Sequence, residues 1–528
     1  MLVILTAPGG PALAQSGDDP DFAEAVRALN ERSFKRKAGA VRALAATGGP
    51  RSREVLSAML DGRLYYRKND KTIVIAEASE NGFRIVDAVT GSNLGEVGKR
   101  EIRKIRVNNQ LRGTIRGAIA RLSLSDPDAG VRLDSVQRML GGMTPETVAL
   151  LMRAAESETD PRVREKMALG IALGRLEDDG ADIRLAAIDT LTGSLEPIVR
   201  GALNGVAAND PDPDVRLAAE EAIKSIQARL KAYAMIETTF FGLSLGSVLL
   251  LAAIGLAITF GVMGVINMAH GELIMLGAYT TYVVQLMMPN HIDYSLFVAV
   301  PLAFLVSGLF GVAIERGVIR LLYGRPLETL LATFGISLIL QQLVRSVFSP
   351  LNRSVSTPSW MSGSLEINSA LSLTYNRLYI LLFALMVFLA LLLILKKTSL
   401  GLQVRAVAQN RAMARAMGVR AQWVDALTFG LGSGIAGVAG VALSQLTNVG
   451  PNLGQAYIID SFMVVVFGGV GNLWGTLVGS MTLGVANKFL EPWAGAVLAK
   501  ILVLVFIIAF IQKRPRGLFP QKGRAAEN

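Results

Sequence analysis

Apolar residues fall into three regimes along this chain of 528 residues. Over 20–60 they recur every three or four positions: Phe22, Val26 and Leu29, then Val41 and Leu44, then Val55, Leu56 and Leu60, punctuated by Gly48-Gly49-Pro50. That period predicts short amphipathic helices. Over 63–107 the runs are of β type: Leu64-Tyr65-Tyr66, Thr72-Ile73-Val74-Ile75, Phe83-Arg84-Ile85-Val86, then Ile102, Ile105 and Val107. Turn signals at Asn69-Asp70, Asn81-Gly82 and Gly91-Ser92-Asn93 separate them, so a small antiparallel insert is expected. From residue 240 onward the chain is apolar in long blocks.

A membrane-crossing helix needs about 20 mostly apolar residues. The blocks at 240–266 and 273–288 therefore read as two membrane segments joined by the polar break Asn267-Met268-Ala269-His270-Gly271-Glu272. Further blocks follow at 296–314, 330–347, 378–395, 426–446, 457–470, 474–486 and 494–511. The expected fold class is an all-α polytopic membrane protein with about nine transmembrane helices. A helical N-terminal domain with a small β insert precedes them. Glycines crowd the late blocks. Gly430/Gly434, Gly471/Gly475 and Gly475/Gly479 are pairs of small residues four apart, which let helices approach closely.

Between the β insert and the membrane, a motif recurs. Asp126-Pro127 precedes Val131-Arg132, Asp160-Pro161 precedes Val163-Arg164, Asp179-Gly180 precedes Ile183-Arg184, and Asp210-Pro211 precedes Val215-Arg216. An Asp and an early Pro ahead of an apolar face are helix-start signals. The motif resembles HEAT-like helical repeats, although its spacing of 32, 20 and 32 residues is irregular. A plain helical bundle is the other reading of the same pattern, and in both the aspartates are helix caps.

Charge separates the halves. Residues 1–235 carry 34 Lys+Arg against 32 Asp+Glu, whereas 236–528 carry 19 against 10. The net charge of +11 is thus mostly a property of the membrane half, which points to basic loops on one side of a bilayer rather than to nucleic acid. Three clusters supply it: Arg316/Arg320/Arg325, the 396–423 loop, and Lys513/Arg514/Arg516. With nine passes all three share the cytoplasmic side, the C-terminus with them, and the N-terminal domain lies outside. The opening 15 residues, MLVILTAPGGPALAQ, are a short apolar run ending in Ala12-Leu13-Ala14, and residues 1–14 are read as a signal peptide. The domain plan is then 15–235 exported, 236–520 in the membrane and 521–528 a tail. No cysteine and only two histidines exist, which excludes disulfides, thiolate chemistry and a multi-histidine metal centre. Neither a Walker A sequence nor a Rossmann fingerprint in its context occurs, so no cofactor is expected on this chain and any ATPase is a separate subunit.

Asn267, His270 and Glu272 are the foremost candidate site residues, because ionisable groups at membrane depth face a protein interior or a solute path. They admit two readings: lining the path of a small polar solute, or capping and pinning the helix break. Asp460 and Asn472 are further pathway candidates, and Gln341 and Gln342 are candidate interhelical glue. The 396–423 loop reads as a helix with Val404, Ala408, Ala412 and Ala416 on one face and Gly418 as its stop. It serves either as basic anchoring or as a dock for a cytoplasmic partner. A channel or ion-coupled transporter without ATPases, and a membrane-anchored docking protein, are the competing functions. The lack of repeated intramembrane carboxylates argues against ion coupling.

Four stretches together resemble the permease family of branched-chain amino-acid ABC importers, the LivH type. They are Gly261 through Glu272 with Met275-Leu276-Gly277-Ala278-Tyr279; Glu315-Arg316 to Pro326 with Leu331-Ala332-Thr333-Phe334-Gly335; Gly401 to Gly418 with Arg405-Ala406 and Asn410; and Phe467-Gly468-Gly469-Val470-Gly471-Asn472 with Arg514-Pro515-Arg516-Gly517-Leu518-Phe519. The resemblance covers about 240–520. The N-terminal extension is similar to that of the urea-transport (UrtB-type) branch. The resemblance implies a non-enzymatic transport subunit for urea in the bacterial inner membrane, with branched-chain amino acids or an ATP-independent channel as alternatives. Implied partners are membrane lipid, a second LivM-type permease, two ATP-binding subunits that use the ATP, and a periplasmic solute-binding protein. The 396–423 loop then corresponds to the ATPase coupling loop, with Arg405, Asn410, Ala412, Ala416 and Gly418 as coupling residues, though a clean Glu-Ala-Ala motif is absent from it.

Overall fold

The computed structural model describes residues 20–79 and 82–519. The expected signal peptide at 1–14 and tail at 521–528 lie outside the described residues. The chain divides into two compact units, 1–229 and 230–528.

In the first unit, helices α1 (Pro20–Ala28), α2 (Phe34–Thr47) and α3 (Gly49–Leu60) precede five strands, β1 (Leu64–Arg67), β2 (Ile73–Ser79), β3 (Gly82–Asp87), β4 (Asn93–Val97) and β5 (Ile102–Lys104). The sheet is antiparallel in the order β4-β3-β2-β1-β5, with Tyr65 opposite Val74 and Ile75 opposite Val86. Side chains alternate across it. Ile73 and Ile75 join Val26, Leu44, Leu56 and Ile115 in one core, while Val74, Ala76 and Ile85 form a second on the other face. Strand β4 was not expected: it is almost wholly exposed and carries Gly95, so it lacks the alternation that marks a strand.

Helices α4 (Asn109–Leu124), α5 (Ala129–Met139), α6 (Pro145–Ser157), α7 (Pro161–Arg175), α8 (Ala181–Leu191) and α9 (Pro197–Asn209) follow, and α10 (Pro213–Met263) gives 213–229 to this unit. Of the motif aspartates only Asp160 caps its helix, α7; Asp126 and Asp210 accept from the Asp128 and Asp212 amides, α5 is capped by Asp128 instead, and α8 starts at Gly180 without a side-chain cap. The irregular spacing has a structural explanation. The interval of 32 spans two helices and that of 20 spans one, so the pattern returns after 52 residues and three helices. The motif arginines show the same period. Arg132 grips Glu158 with two bonds of 2.8 Å and donates to the Asp126 and Pro127 carbonyls. Fifty-two residues on, Arg184 grips Asp210 and donates to the Asp178 and Asp179 carbonyls. Each arginine thus ties its own helix-start loop to the loop two helices later.

This makes the first unit sensitive to acid. The Arg132 guanidinium holds the Glu158 carboxyl below the usual carboxylate range. A depressed folded-state pKa stabilises above the unfolded value, about 4.3, and the contribution is lost as pH falls through the folded value. Glu158→Ala leaves a sealed guanidinium unpaired beside the surface. It is expected to cost about 2 kcal/mol, below the range for deeply buried pairs. Pulse proteolysis of the full chain in urea at pH 7 reads the difference, and the gap between wild type and variant should narrow below about pH 4.

The second unit holds the rest of α10, then α11 (His270–Met287), α12 (Ile292–Gly317), α13 (Pro326–Phe348), the hairpin β6 (Ser364–Asn368) and β7 (Leu371–Thr374), and α14 (Tyr375–Lys397). Short helices α15 (Ser399–Gln409) and α16 (Arg411–Ala416) lead to α17 (Ala421–Ser444), α18 (Leu453–Gly468) and α19 (Leu473–Lys513). Among the described residues six helices are long and apolar enough to cross a membrane: α10, α12, α13, α14, α17 and α19. Helix α18 is apolar but shorter. The blocks expected as separate passes at 474–486 and 494–511 both lie in α19, which is two helices joined at Gly495, where the backbone (φ +76°, ψ 162°) is not helical. Burial ranks the helices. Helix α17 and the apolar part of α10 are sheathed by neighbours, whereas α12, α14 and α19 turn apolar faces outward. Glycines set the central approaches: Gly277 of α11 meets Gly437 of α17, and Gly468 meets Gly475.

Candidate functional site

The polar break is built as a break. Helix α10 stops at Met263, Gly264 takes φ +67°, which favours glycine, and α11 begins at His270. Backbone groups freed inside a membrane must be satisfied internally, and two of the expected residues do this. The Asn267 Oδ1 accepts from the Ala269 amide at 3.0 Å. His270 Nε2 lies 2.8 Å from the Ala252 carbonyl, and since a carbonyl only accepts, this nitrogen donates and ties α11 back to α10. Thr333 of α13 completes the set, accepting from the Met268 amide at 3.1 Å.

Glu272 is different. It is fully buried, and its Oε1 accepts from Ser337 Oγ at 3.0 Å, Gln341 Nε2 at 2.8 Å and Gln455 Nε2 at 3.3 Å. Three helices, α11, α13 and α18, therefore meet on one carboxylate oxygen. Among the described residues the other oxygen, Oε2, has no partner, and neither does His270 Nδ1 or Asn267 Nδ2. Two helix starts converge here. Gly271-Glu272 and Gly454-Gln455 are the second and third residues of α11 and α18, each following an irregular stretch. A Cβ on Gly271 would lie 2.6 Å from the Gly454 carbonyl oxygen, so only glycine permits this crossing.

The other expected pathway residues lie outside this node. Asp460 pairs with Lys500 Nζ at 3.0 Å. Asn472 caps α19 through the Trp474 and Gly475 amides, within the turn from α18. Gln341 joins the node, while Gln342 is exposed. Sequence reasoning missed Ser337 and Gln455. The signal for Gln455 was the repeated Gly-Glu/Gln pair at the start of an apolar helix after an Asn-containing break.

The basic loop departs from its expectation. It is two helices, because the Asn410 side chain accepts from the Met413 amide and starts α16 afresh. The phase resets there, so Ala412 and Ala416 are exposed, while Val404, Val407 and Ala414 form the buried side with Ala421 and Val424. Gly418, at φ +85°, follows the end of α16, and Arg405 donates to the Leu395 carbonyl. Arg411 forms a two-bond ion pair with Asp425 of α17 and stacks on Tyr323 at 4.0 Å. Val262, next to the break, packs on the core of this loop. Among the described residues no group of three His, Asp or Glu could hold a metal ion.

The second unit thus combines a buried polar node, a broken helix beside it and a folded basic loop. Residues 238–511 match the family described as branched-chain amino acid transport system, permease component. The LivH permease protein of the high-affinity branched-chain amino acid transport system of Salmonella typhimurium is 31% identical over 294 residues, which is 54% of this chain and 94% of the relative. The corresponding BraD protein of Pseudomonas aeruginosa is 28% identical over 296 residues, 54% of this chain and 96% of the relative. The ribose import permease RbsC of Escherichia coli is 31% identical over 112 residues, 20% of this chain and 35% of the relative. No solved structure matches the chain. The chain belongs to the branched-chain amino acid permease family and is a multi-pass membrane transport component.

Proposed function

We propose that the chain forms half of the transmembrane pathway of an ATP-driven importer in the bacterial inner membrane, working on a small amino-acid-type solute. Its partners in this reading are a related second permease, two ATP-binding subunits and a soluble solute-binding protein. Counting α11, α18 and the two parts of α19 beside the other five spans makes nine passes. The first unit is then periplasmic and the basic ends and C-terminus cytoplasmic, as the positive-inside rule requires. The observation that carries the reading is the Glu272 node: a buried carboxylate with one oxygen saturated and one free, at the meeting of two interrupted helices. Helix breaks near the midplane are where transporters place their solute paths. The 396–423 loop packs on Val262 beside the break, so force applied to the loop reaches the node's support directly.

Urea is the second reading, favoured by the N-terminal unit. That unit lies outside the matched residues, and relatives covered over 94% of their length have no room for it. The relatives matched over nearly their whole length, LivH and BraD, belong to branched-chain amino acid transport systems, which is why the amino-acid reading stands first. The test is uptake of labelled leucine and of labelled urea into vesicles holding the complete complex. ATP-dependent leucine uptake is expected. ATP-dependent urea uptake that leucine does not compete would replace leucine with urea, and uptake indifferent to ATP would overturn the importer.

A further inference from the structure

The 396–423 loop does not stand alone. Between α12 and α13 runs a one-turn helix, Ile319–Leu322, followed by Tyr323, and ring stacking joins this turn to α16 and the end of α12 to the start of α17. Arg411 of α16 stacks on Tyr323, and Arg316 at the end of α12 stacks on Trp423 at 4.4 Å. The two stretches therefore present one surface. Its apolar points are bare: Leu321 is 77% exposed, Leu327 81%, Met413 60% and Met417 77%. Around them stand exposed Arg320, Arg405, Arg415 and Arg420, with Arg325 paired to exposed Glu328 at 3.0 Å, and no acidic residue lies between 396 and 423.

We propose that the dock for the ATP-binding subunits has two halves, the α15–α16 loop and the 319–327 turn, and that its partner offers an apolar cleft rimmed by acidic side chains. This rests on the importer reading above. Complementarity of charge selects an acidic partner. Bare methionines and leucines between arginines select a protein cleft, since apolar anchors inside a polar rim are the anatomy of a protein interface. A folded support also favours a protein partner. The loop has its own core and an ion pair to α17, so it keeps a fixed shape, which a lipid surface does not require.

The chain has no cysteine, so single-cysteine variants carry no background. Leu321→Cys and Met417→Cys are each reacted with a water-soluble maleimide, in the full transporter and in the permease pair alone. Both states are reconstituted once in neutral and once in anionic (phosphatidylglycerol-containing) vesicles. Protection of both cysteines by at least about fivefold, seen only when the ATP-binding subunits are present, is the expected result. Protection of Met417→Cys with Leu321→Cys left reactive overturns the second half while leaving the importer reading intact. Protection of Leu321→Cys by anionic lipid alone assigns the turn to the membrane and overturns the proposal. Reactivity of both in the full transporter overturns the dock and the importer reading together. As a second measure, Arg320→Glu is expected to weaken retention of the ATP-binding subunits about tenfold, and unchanged retention counts against an acidic partner.

Discussion

Glu272→Ala is expected to cut solute uptake by more than about tenfold and to lower the melting temperature of the assembled permease. The alanine strips a shared acceptor from Ser337, Gln341 and Gln455 at once. Each buried donor left without a partner costs about 1–3 kcal/mol, and the whole fold is stable by only about 5–15 kcal/mol. Instability and lost transport are therefore confounded in this variant. Glu272→Gln separates them, because an amide oxygen replaces Oε1 with the same shape. It should melt within a few degrees of the native protein, as followed by size-exclusion after heating. Its uptake then reports on the solute. A solute presenting an ammonium group to the free carboxylate oxygen loses a charge partner and slows by more than about tenfold, since charged hydrogen bonds are roughly twice as strong as neutral ones. A neutral amide such as urea loses only a few-fold. Full activity of Glu272→Gln with leucine would show that the carboxylate does not meet the amino group.

Gly277→Ala is expected to be among the most damaging single-methyl changes in the membrane half. The added Cβ would fall well inside contact distance of the Gly437 backbone, on the best-buried helix of the unit. Overpacking against side chains costs about 1–3 kcal/mol because they can shift. Backbone on a helix held on several sides cannot, so the cost exceeds that range and little folded protein should be recovered in detergent. Gly335→Ala in α13 is the control, since nothing lies within 4 Å of the methyl. It is expected to be neutral or slightly stabilising. Equal recovery of the two variants would mean that α11 and α17 are not held at glycine distance.

Part of the site is legible in the sequence. Asn267, His270 and Glu272 stand out because polar groups interrupt an apolar run, and solvation cost alone makes such an interruption meaningful. Their division of labour was not legible. His270 and Glu272 are two residues apart, yet one reaches the Ala252 carbonyl of the preceding helix and the other reaches α13 and α18. Gln455 lies 183 residues from Glu272, and no local pattern specifies such a meeting. The 396–423 loop shows the opposite limit. Its helical composition was plain, but one side-chain cap at Asn410 reset the phase and exposed Ala412 and Ala416.

Local physics explains where the sequence was sufficient. Apolar block length, the period of apolar residues in 20–60 and the strand signals of 64–86 depend on neighbours a few positions away, so the helices, most of the strands and the membrane character follow from the sequence alone. The return of the repeat after 52 residues needed the structure, because it is expressed in arginine bonds to loops 26 residues ahead. The node, the glycine crossings and the joining of Tyr323 to Arg411 are likewise tertiary. Each depends on two backbones brought together from distant parts of the chain, and only close packing of whole helices decides which polar atoms are left without a partner.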